Sequence, residues 1–296
     1  ACYTERRTYM EKTIQTLNLS DDFLFAKVMA DSEICRRILE KILKISIKEV
    51  SVPSTQRTIE LLFEGKGVRL DVYVNDDLGT VYNIEMQCSK KRNLPKRARY
   101  YAGSIDLDLI AAGEDYTKLK KSFVIFICTF DPFQDKRHIY SFENRCLENL
   151  TLTLGDETAK IFLNTRGELE DVDEEMLEFL AYIEDTTDRF AEQAKSPLIR
   201  QIHQRVTQIR QSREMEVEYM TLMQRDRENI EQGREEGREE GLKEGRKEGR
   251  KEGIQMTLDI IRLHLSGKSS REIADVLNLT PSYVDQILQD YESLPG

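Results

Sequence analysis

The chain has 296 residues, of which 44 are Lys or Arg and 54 are Asp or Glu, and its net charge at pH 7 is −10. This length allows a full hydrophobic core together with an appended module. The negative charge argues against nonspecific polyanion binding by the whole surface. It leaves room for a local basic cleft, because binding follows the distribution of charge. The acids are segregated, since residues 168–185 contain nine acids and no Lys or Arg.

The cysteines and the apolar runs indicate the cellular compartment of the protein. Five cysteines are scattered singly without a C-x-x-C pair, so no zinc site is expected. An odd number of cysteines fits reduced thiols in a cytosol. The longest apolar run, residues 123–128, has six residues, far below the roughly 18 that a membrane helix needs. We therefore expect a soluble cytoplasmic protein without a membrane partner.

The first predicted elements are two helices. Asp21 or Asp22 can cap a helix that runs to about Val28. A second helix is predicted over residues 32–44, where Ile and Leu recur at helical spacing. Pro53 is expected to break the chain before the first strand.

A strand over residues 58–63 and a turn at residues 65–67 lead into a predicted β-hairpin. Both hairpin strands alternate apolar and polar residues, which is typical of half-buried strands. The alternation puts Asp71 and Glu85 on the polar faces of their strands. The apolar positions are Val68, Leu70, Val72 and Val74 in the first strand and Tyr82, Ile84 and Met86 in the second.

The turn of the hairpin sets its register. Residues 76–79, Asp-Asp-Leu-Gly, have the composition of a tight turn. A hairpin centred on Leu78 places Asp71 opposite Glu85. Directly opposed side chains have Cβ atoms about 4.5–5.5 Å apart, where two carboxylates repel each other unless one is protonated or a cation lies between them. Mg²⁺ is commonly held by one or two carboxylates plus substrate phosphate.

A basic segment follows the hairpin, with six positive charges and no acid in residues 88–101. Pro95 suits the first turn of a helix, which is predicted to run to about Ala112 and to stop at Gly113. Tyr100 and Tyr101 could stack on a base or sugar, although one of the two is more simply a core residue. An acidic pair beside a phosphate-attracting segment is the arrangement that phosphodiester hydrolysis requires. The basic side chains are Lys90, Lys91, Arg92, Lys96, Arg97 and Arg99.

Asp71, the run Glu85-Met86-Gln87 and the run from Leu94 to Tyr101 resemble the PD-(D/E)xK nuclease superfamily. More narrowly, they are similar to the recombination-promoting nuclease and putative transposase family of bacteria. The likeness covers about residues 18–230. It implies an α/β fold with a restriction-endonuclease-like mixed central sheet flanked by helices, and a metal-dependent DNA endonuclease acting in recombination or transposition. The flanking signatures are residues 22–25, 113–116 and 123–128.

The resemblance also implies roles for individual residues. Asp71 and Glu85 would hold Mg²⁺, for which Mn²⁺ or Ca²⁺ could substitute, and the backbone carbonyl of Met86 is a possible third ligand. Gln87 stands where the wider superfamily carries a catalytic Lys, and the narrower family also has Gln there. An amide can orient a water, but it is not a general base at neutral pH. The proline of the superfamily motif is replaced by Leu70.

The sequence also allows structural interpretations of these residues that involve no catalysis. Spacing alone allows Asp71 and Glu85 to be solvated residues on an outer face of the sheet, and the basic run to be a solvated loop. The family implies that an early acid can shape the metal site, for which Asp22 is the candidate. The alternative role for Asp22 is a helix N-cap, which is worth about 1 kcal/mol.

Downstream of the basic helix the pattern predicts strands at about residues 122–129, 138–145 and 157–164. A helix is predicted at about residues 173–184, with its apolar side chains facing inward. These elements would complete a nuclease-like domain over residues 1–196.

Residues 197–253 are predicted to form a helical stalk. Six glycines recur in it every four residues, and eight acids and seven bases between residues 231 and 253 nearly cancel. Each helical Gly costs about 0.8–1 kcal/mol relative to Ala, whereas each ion pair returns about 0.2–0.5 kcal/mol. The stretch is therefore either a helix whose glycines admit a second copy, giving a homodimer or higher homo-oligomer, or a flexible tether. The glycines are Gly233, Gly237, Gly241, Gly245, Gly249 and Gly253.

Residues 254–296 are predicted to form a small three-helix module that is similar to a helix-turn-helix, with caps at Ser269 and Thr280. Its third helix carries three acids and no Lys or Arg over residues 280–292. Packing is therefore favoured over reading of DNA. Two alternatives to an active nuclease follow: a catalytically inactive nuclease-fold assembly protein, and a DNA-binding protein acting through the helical C-terminal region.

Overall fold

A computed structural model of the chain describes residues 13–59, 68–90 and 93–293, with the backbone alone for residues 53–59, 68 and 69. The chain divides into two compact units, and the boundary lies between Met220 and Thr221. The first unit contains the sheet, and the second contains most of a long helix and two short ones.

A six-stranded mixed sheet forms the centre of the first unit, in the order β1-β2-β3-β4-β6-β5. The pairs β3–β4 and β4–β6 are parallel, and the other pairs are antiparallel. The predicted α/β architecture with a mixed central sheet is thus confirmed. The strands are Val50–Ile59 (β1), Val68–Asp76 (β2), Val81–Gln87 (β3), Ser122–Cys128 (β4), Ile139–Phe142 (β5) and Thr158–Asn164 (β6).

Helices flank this sheet and extend beyond it. The sequence predicted the first four helices within a few residues at each end, but it missed the short α5. Two single turns of 3-10 helix lie at Ile14–Thr16 and Tyr116–Lys118. The α-helices are Asp22–Met29 (α1), Ser32–Leu43 (α2), Leu94–Leu109 (α3), Glu174–Glu184 (α4), Asp188–Gln193 (α5), Pro197–Gln211 (α6), Arg213–Leu265 (α7), Ser270–Leu277 (α8) and Pro281–Glu292 (α9).

The first strand departs from the prediction. It begins at Val50 instead of residue 58 and runs through Pro53, which was expected to break the chain. Pairing with β2 shifts register between Ser51 and Ser54. Because β1 is an edge strand, it tolerates a proline at such a bulge. The predicted turn at residues 65–67, and the end of the predicted strand after residue 59, lie outside the described residues.

The hairpin of β2 and β3 forms as predicted, but β3 is not half-buried. Every residue from Val81 to Gln87 is buried. The strand lies inside the sheet, between β2 and β4. Leu94 and Ala98 of α3 belong to the same buried cluster as Val81 and Phe126. A central strand next to a parallel neighbour is covered on both faces, so its polar residues are enclosed as well.

The helix α6 belongs to the first unit. It buries Leu198, Ile202 and Val206 and packs against α1, α2, α4 and α5. Val217, which the sequence placed on the same apolar face, is 57% exposed at the start of α7.

The long helix α7 runs without a break through the glycine repeat. This confirms the helical interpretation of the repeat over the flexible tether. A Cβ built on any glycine from Gly233 to Gly253 would have no atom within 4 Å. The repeat thus presents an open face in the described chain, and self-pairing through it stays a prediction.

The end of α7 packs with α8 and α9 in the second unit, around Ile260, Ile273 and Val284. Ser269 forms a capping box with Glu272, as the sequence predicted for a cap at this position. The predicted cap at Thr280 is in place, although its side chain makes no capping hydrogen bond.

Candidate active site

Strands β2 and β3 bring Asp71 and Glu85 together. The ladder pairs Val72 with Ile84 and Tyr73 with Asn83, so the register predicted from the turn is the register observed. Directly opposed residues of an antiparallel pair project to the same face of the sheet. The Asp71 backbone amide donates to Glu85 Oε1 at 3.2 Å, and the Met86 amide donates to Asp71 Oδ2 at 3.2 Å.

The two carboxyl groups differ in burial. Glu85 is 2% exposed, whereas Asp71 is partly exposed. Burial first, and then the negative charge of Asp71, raises the pKa of Glu85 to about 8. In the metal-free protein Glu85 therefore keeps its proton at neutral pH. A positive ion between the two groups would favour the charged form of Glu85.

Arg97 of helix α3 lies beside the acidic pair. Its Nη1 donates to Gln87 Oε1 at 2.6 Å, and its Nη2 donates to Tyr101 Oη at 2.9 Å. The same Nη2 lies 3.5 Å from Glu85 Oε2. The guanidinium carbon is 5.3 Å from the centre of the Tyr101 ring and 5.4 Å from that of Phe126. Arg97, predicted as a DNA contact, thus faces the acidic pair.

Both the oxygen and the nitrogen of the Gln87 side-chain amide form hydrogen bonds. Its oxygen accepts from Arg97, and its Nε2 donates to the backbone oxygen of Ser89 at 2.7 Å and to Ser89 Oγ at 3.1 Å. The side chain is buried. An orienting hydrogen bond from Gln87 to a water would replace one of the bonds to Ser89, and this role stays a prediction.

The donor set fits a hard divalent cation. The carboxyl groups of Asp71 and Glu85 would supply oxygen ligands, and the fully buried side chain of Asn83 lies on the same face of β3 as Glu85. Among the residues described, no group of three or more His, Cys, Asp or Glu is placed to hold a metal. Backbone, water and substrate phosphate would complete the shell of an ion at Asp71 and Glu85, as is usual for Mg²⁺. Met86 as a backbone ligand stays a prediction.

The remaining predicted DNA contacts lie on the surface. Lys90, Lys96, Arg99 and Tyr100 are all exposed, on the segment after β3 and on the first turns of α3. Lys91 and Arg92 fall outside the described residues. Binding of a phosphate backbone by these exposed side chains stays a prediction.

Asp22 is exposed in the first turn of α1, and the N-cap of that helix is Asp21, whose carboxylate accepts from the Phe23 amide at 3.1 Å. Cys88 Sγ donates to the Ser20 carbonyl at 2.8 Å. The start of α1 therefore lies at the end of β3, beyond Gln87. A site-shaping role for Asp22 stays a prediction.

Sequence reasoning did not connect Tyr101 with Arg97, and it gave Asn83 no role in this site. Tyr101 lies four residues after Arg97 on α3, a spacing that puts the two side chains on one helix face. That signal was present in the sequence. The burial of Asn83 had no sequence signal, because it depends on how the neighbouring strands and helices pack.

A mixed six-stranded sheet, flanking helices and an Asp–Glu pair on adjacent strands define the restriction-endonuclease-like class of α/β nuclease folds. A family profile described as PD-(D/E)XK nuclease family transposase matches residues 20–234. Because this range covers well over half of the chain, the protein belongs to that family. No curated protein and no solved structure matches the chain.

Family membership supports a nuclease-like function and implies DNA as the substrate. Nucleases of this superfamily generally use divalent metal ions. No helix in the described part of the chain is long and apolar enough to cross a membrane.

Proposed function

We propose that the protein is a Mg²⁺-dependent DNA endonuclease that hydrolyses phosphodiester bonds in recombination- or transposition-type DNA processing. The observation that carries this proposal is the pairing of a buried Glu85 with a partly exposed Asp71 in direct register on β2 and β3. The rise in the pKa of Glu85, caused by burial and by Asp71, supports the proposal, because such shifts are common at functional sites.

Asp71 and Glu85, with the Met86 carbonyl, would hold the ion, and Mn²⁺ or Ca²⁺ could take the same oxygen ligands. A divalent ion supplies polarisation of the scissile phosphate and a bound water of lowered pKa. Glu85 would release its proton when the ion binds, because the positive charge offsets the repulsion from Asp71. Gln87 would orient a water next to the pair.

The exposed basic segment would bind the DNA backbone. Lys90, Lys96 and Arg99 offer charge to phosphates, and Tyr100 offers a ring for stacking. Lys91 and Arg92 belong to the same segment by sequence. These contacts explain how a protein with a net charge of −10 could bind a polyanion, since the charge is local.

The proposal is tested by nicking of supercoiled plasmid with Mg²⁺, comparing the wild type with Asp71→Asn and Glu85→Gln. These substitutions keep the side-chain shape and remove a charge. We expect nicking to fall by at least about two orders of magnitude in each, because several kcal/mol of charge stabilisation is lost. Lys96→Gln is the matched control, which should weaken DNA binding and leave the rate at saturating protein largely intact. Undiminished nicking in both acid variants would refute the site.

We also propose that α7 pairs with a second copy of the chain through its glycine line. In four of the six repeats an Arg follows the Gly, as at Arg234 and Arg238, and in five a Glu precedes it, as at Glu236 and Glu240. The Arg and Glu rows thus flank the glycines on opposite sides. In a parallel symmetric pair of helices, the Arg row of one helix faces the Glu row of its partner. In an antiparallel pair, each row faces the same row of the partner, so like charges meet.

The parallel homodimer is tested by light scattering on the full chain. Reversing the Glu row at Glu240, Glu244 and Glu248 to Lys should shift the protein toward monomer, because both flanks then repel. A mixture with a variant whose Arg238, Arg246 and Arg250 are changed to Glu should restore pairing as a heterodimer. A wild type that is monomeric at all concentrations would dismiss the contact.

A further inference from the structure

One of the basic side chains on α3 is not oriented like its neighbours. The Arg97 side chain is 25% exposed, whereas Lys96 and Arg99 on either side are exposed. Resting on the nuclease function proposed above, we propose that Arg97 is a positioning residue of the active site, holding Glu85 and Gln87 in place, and is not a contact to DNA phosphate.

The guanidinium reaches three acceptors at once. Gln87 Oε1 and Tyr101 Oη accept at 2.6 and 2.9 Å, and Glu85 Oε2 lies at 3.5 Å. The planar fork of an Arg matches several acceptors in fixed directions, whereas the ammonium of a Lys is a single point charge. The aromatic rings of Tyr101 and Phe126 lie beside the guanidinium at 5.3 and 5.4 Å and fix its plane.

Rotation of Arg97 toward DNA would leave Gln87 Oε1 without the donor that it has here and would remove the positive charge beside Glu85. The Gln87 side chain is buried, and a buried acceptor that loses its donor bears a desolvation penalty that nothing offsets. A phosphate contact at the surface would not offset that loss, because an exposed ion pair contributes little free energy. Arg97 therefore keeps its inward orientation when DNA binds, and the exposed Lys96 and Arg99 bind the backbone.

Arg97 acts through the groups it holds. Its charge stands beside the carboxylate of Glu85 and limits the directions in which that side chain can turn. Its bond to Gln87 Oε1 leaves the amide nitrogen of that residue directed at Ser89. Loss of Arg97 should therefore lower turnover while DNA affinity is unchanged. Loss of a side chain that orients metal-site ligands typically costs about 10–100-fold in activity.

The test separates turnover from DNA affinity in the full chain. Single-turnover nicking at saturating protein and DNA affinity in EDTA are measured for Arg97→Gln, Arg97→Lys and the matched control Arg99→Gln. We expect Arg97→Gln to lower the saturated rate at least about tenfold with DNA affinity within twofold. Arg97→Lys should keep the fold and still lose rate, because an ammonium cannot reach both Gln87 and Tyr101. Arg99→Gln, at a residue proposed to bind the DNA backbone, should weaken DNA affinity more than Arg97→Gln does.

A further variant distinguishes positioning from loss of fold. Arg97→Ala leaves a space that free guanidinium can enter, and added guanidinium hydrochloride at millimolar concentration should restore part of the rate. The inference is overturned if Arg97→Gln weakens DNA affinity as much as Arg99→Gln while the saturated rate is unchanged. Should the wild type not nick DNA at all, the proposed function fails, and the affinities in EDTA still decide whether Arg97 contacts DNA.

Discussion

The carboxylate of Glu85 accepts a hydrogen bond from the backbone amide of Asp71 at 3.2 Å, across the strand pair that places the two residues opposite each other. One acid is enclosed and the other is partly open to solvent. This arrangement couples the charge of Glu85 to whatever cation stands next to Asp71. Four predictions test this coupling and the structure that supports it.

The first prediction concerns pH. The pKa of Glu85 is raised from 4.5 to about 8 by burial and by Asp71. The folded state binds this proton more tightly than the unfolded state does. Protonation of Glu85 therefore stabilises the fold fully below about pH 4.5, and this stabilisation is lost as pH rises through about 8. Glu85→Gln should therefore raise the Tm of the metal-free protein at pH 9 by several degrees, at about 2–4 °C per kcal/mol. Thermal unfolding in EDTA measures this.

The gain from Glu85→Gln should vanish near pH 5, where wild-type Glu85 is also neutral. The matched control is Glu192→Gln on the surface of α5, which should leave the pH dependence of Tm as it is in the wild type. An equal gain from both substitutions would contradict the raised pKa.

The second prediction concerns metal binding. A cation that binds between Asp71 and Glu85 displaces the Glu85 proton, so binding of Mg²⁺ or Mn²⁺ at pH 7 should release close to one proton. Calorimetry in buffers of different ionisation enthalpy measures the number. In Glu85→Gln the release should disappear. A release that persists in that variant would place the proton on another group.

The third prediction concerns Gln87, the position where the superfamily carries a lysine. Gln87→Lys should destabilise the protein by about 1–3 kcal/mol, because it removes the acceptor for Arg97 and buries a second positive charge beside it. Denaturant unfolding measures the change. Combining it with Arg97→Met removes the repulsion, so the two effects should be non-additive. Additive effects would mean that the two side chains do not interact.

The fourth prediction concerns the turn that sets the register. Gly79 has φ +81°, and a Cβ there would meet Lys120 at 3.4 Å. Gly79→Ala should destabilise the protein by roughly 1–2 kcal/mol. The control is Gly103→Ala in α3, where a Cβ meets nothing within 4 Å and Ala should stabilise by about 0.5–1 kcal/mol. Opposite signs in denaturant unfolding confirm the turn, and equal signs contradict it.

Local chemistry explains which parts could be predicted. The Asp71–Glu85 register follows from a turn centred on Leu78, because a short loop and a period of two leave one pairing. The caps at Asp21 and Ser269 follow from side chains that bond their own helix. Each of these features depends on residues within about fifteen positions of one another, so it can be predicted from the sequence.

Other parts could not be predicted, because they depend on distant segments. The start of β1 at Val50, with Pro53 inside it, depends on its position at the edge of the sheet. The burial of both faces of β3 depends on the parallel partner β4 and on the docking of α3. The family resemblance supplied the roles of the site residues, but it did not indicate that the Gln87 side chain is hydrogen-bonded to Arg97 and Ser89.

The sequence by itself determined that two acids oppose each other beside a basic helix, since hairpin geometry is local. Only the tertiary structure decided that Glu85 is enclosed and that Arg97 points toward the acids. Burial and orientation arise when α3 packs onto the sheet, and the electrostatic consequences follow from the low-dielectric surroundings that this packing creates.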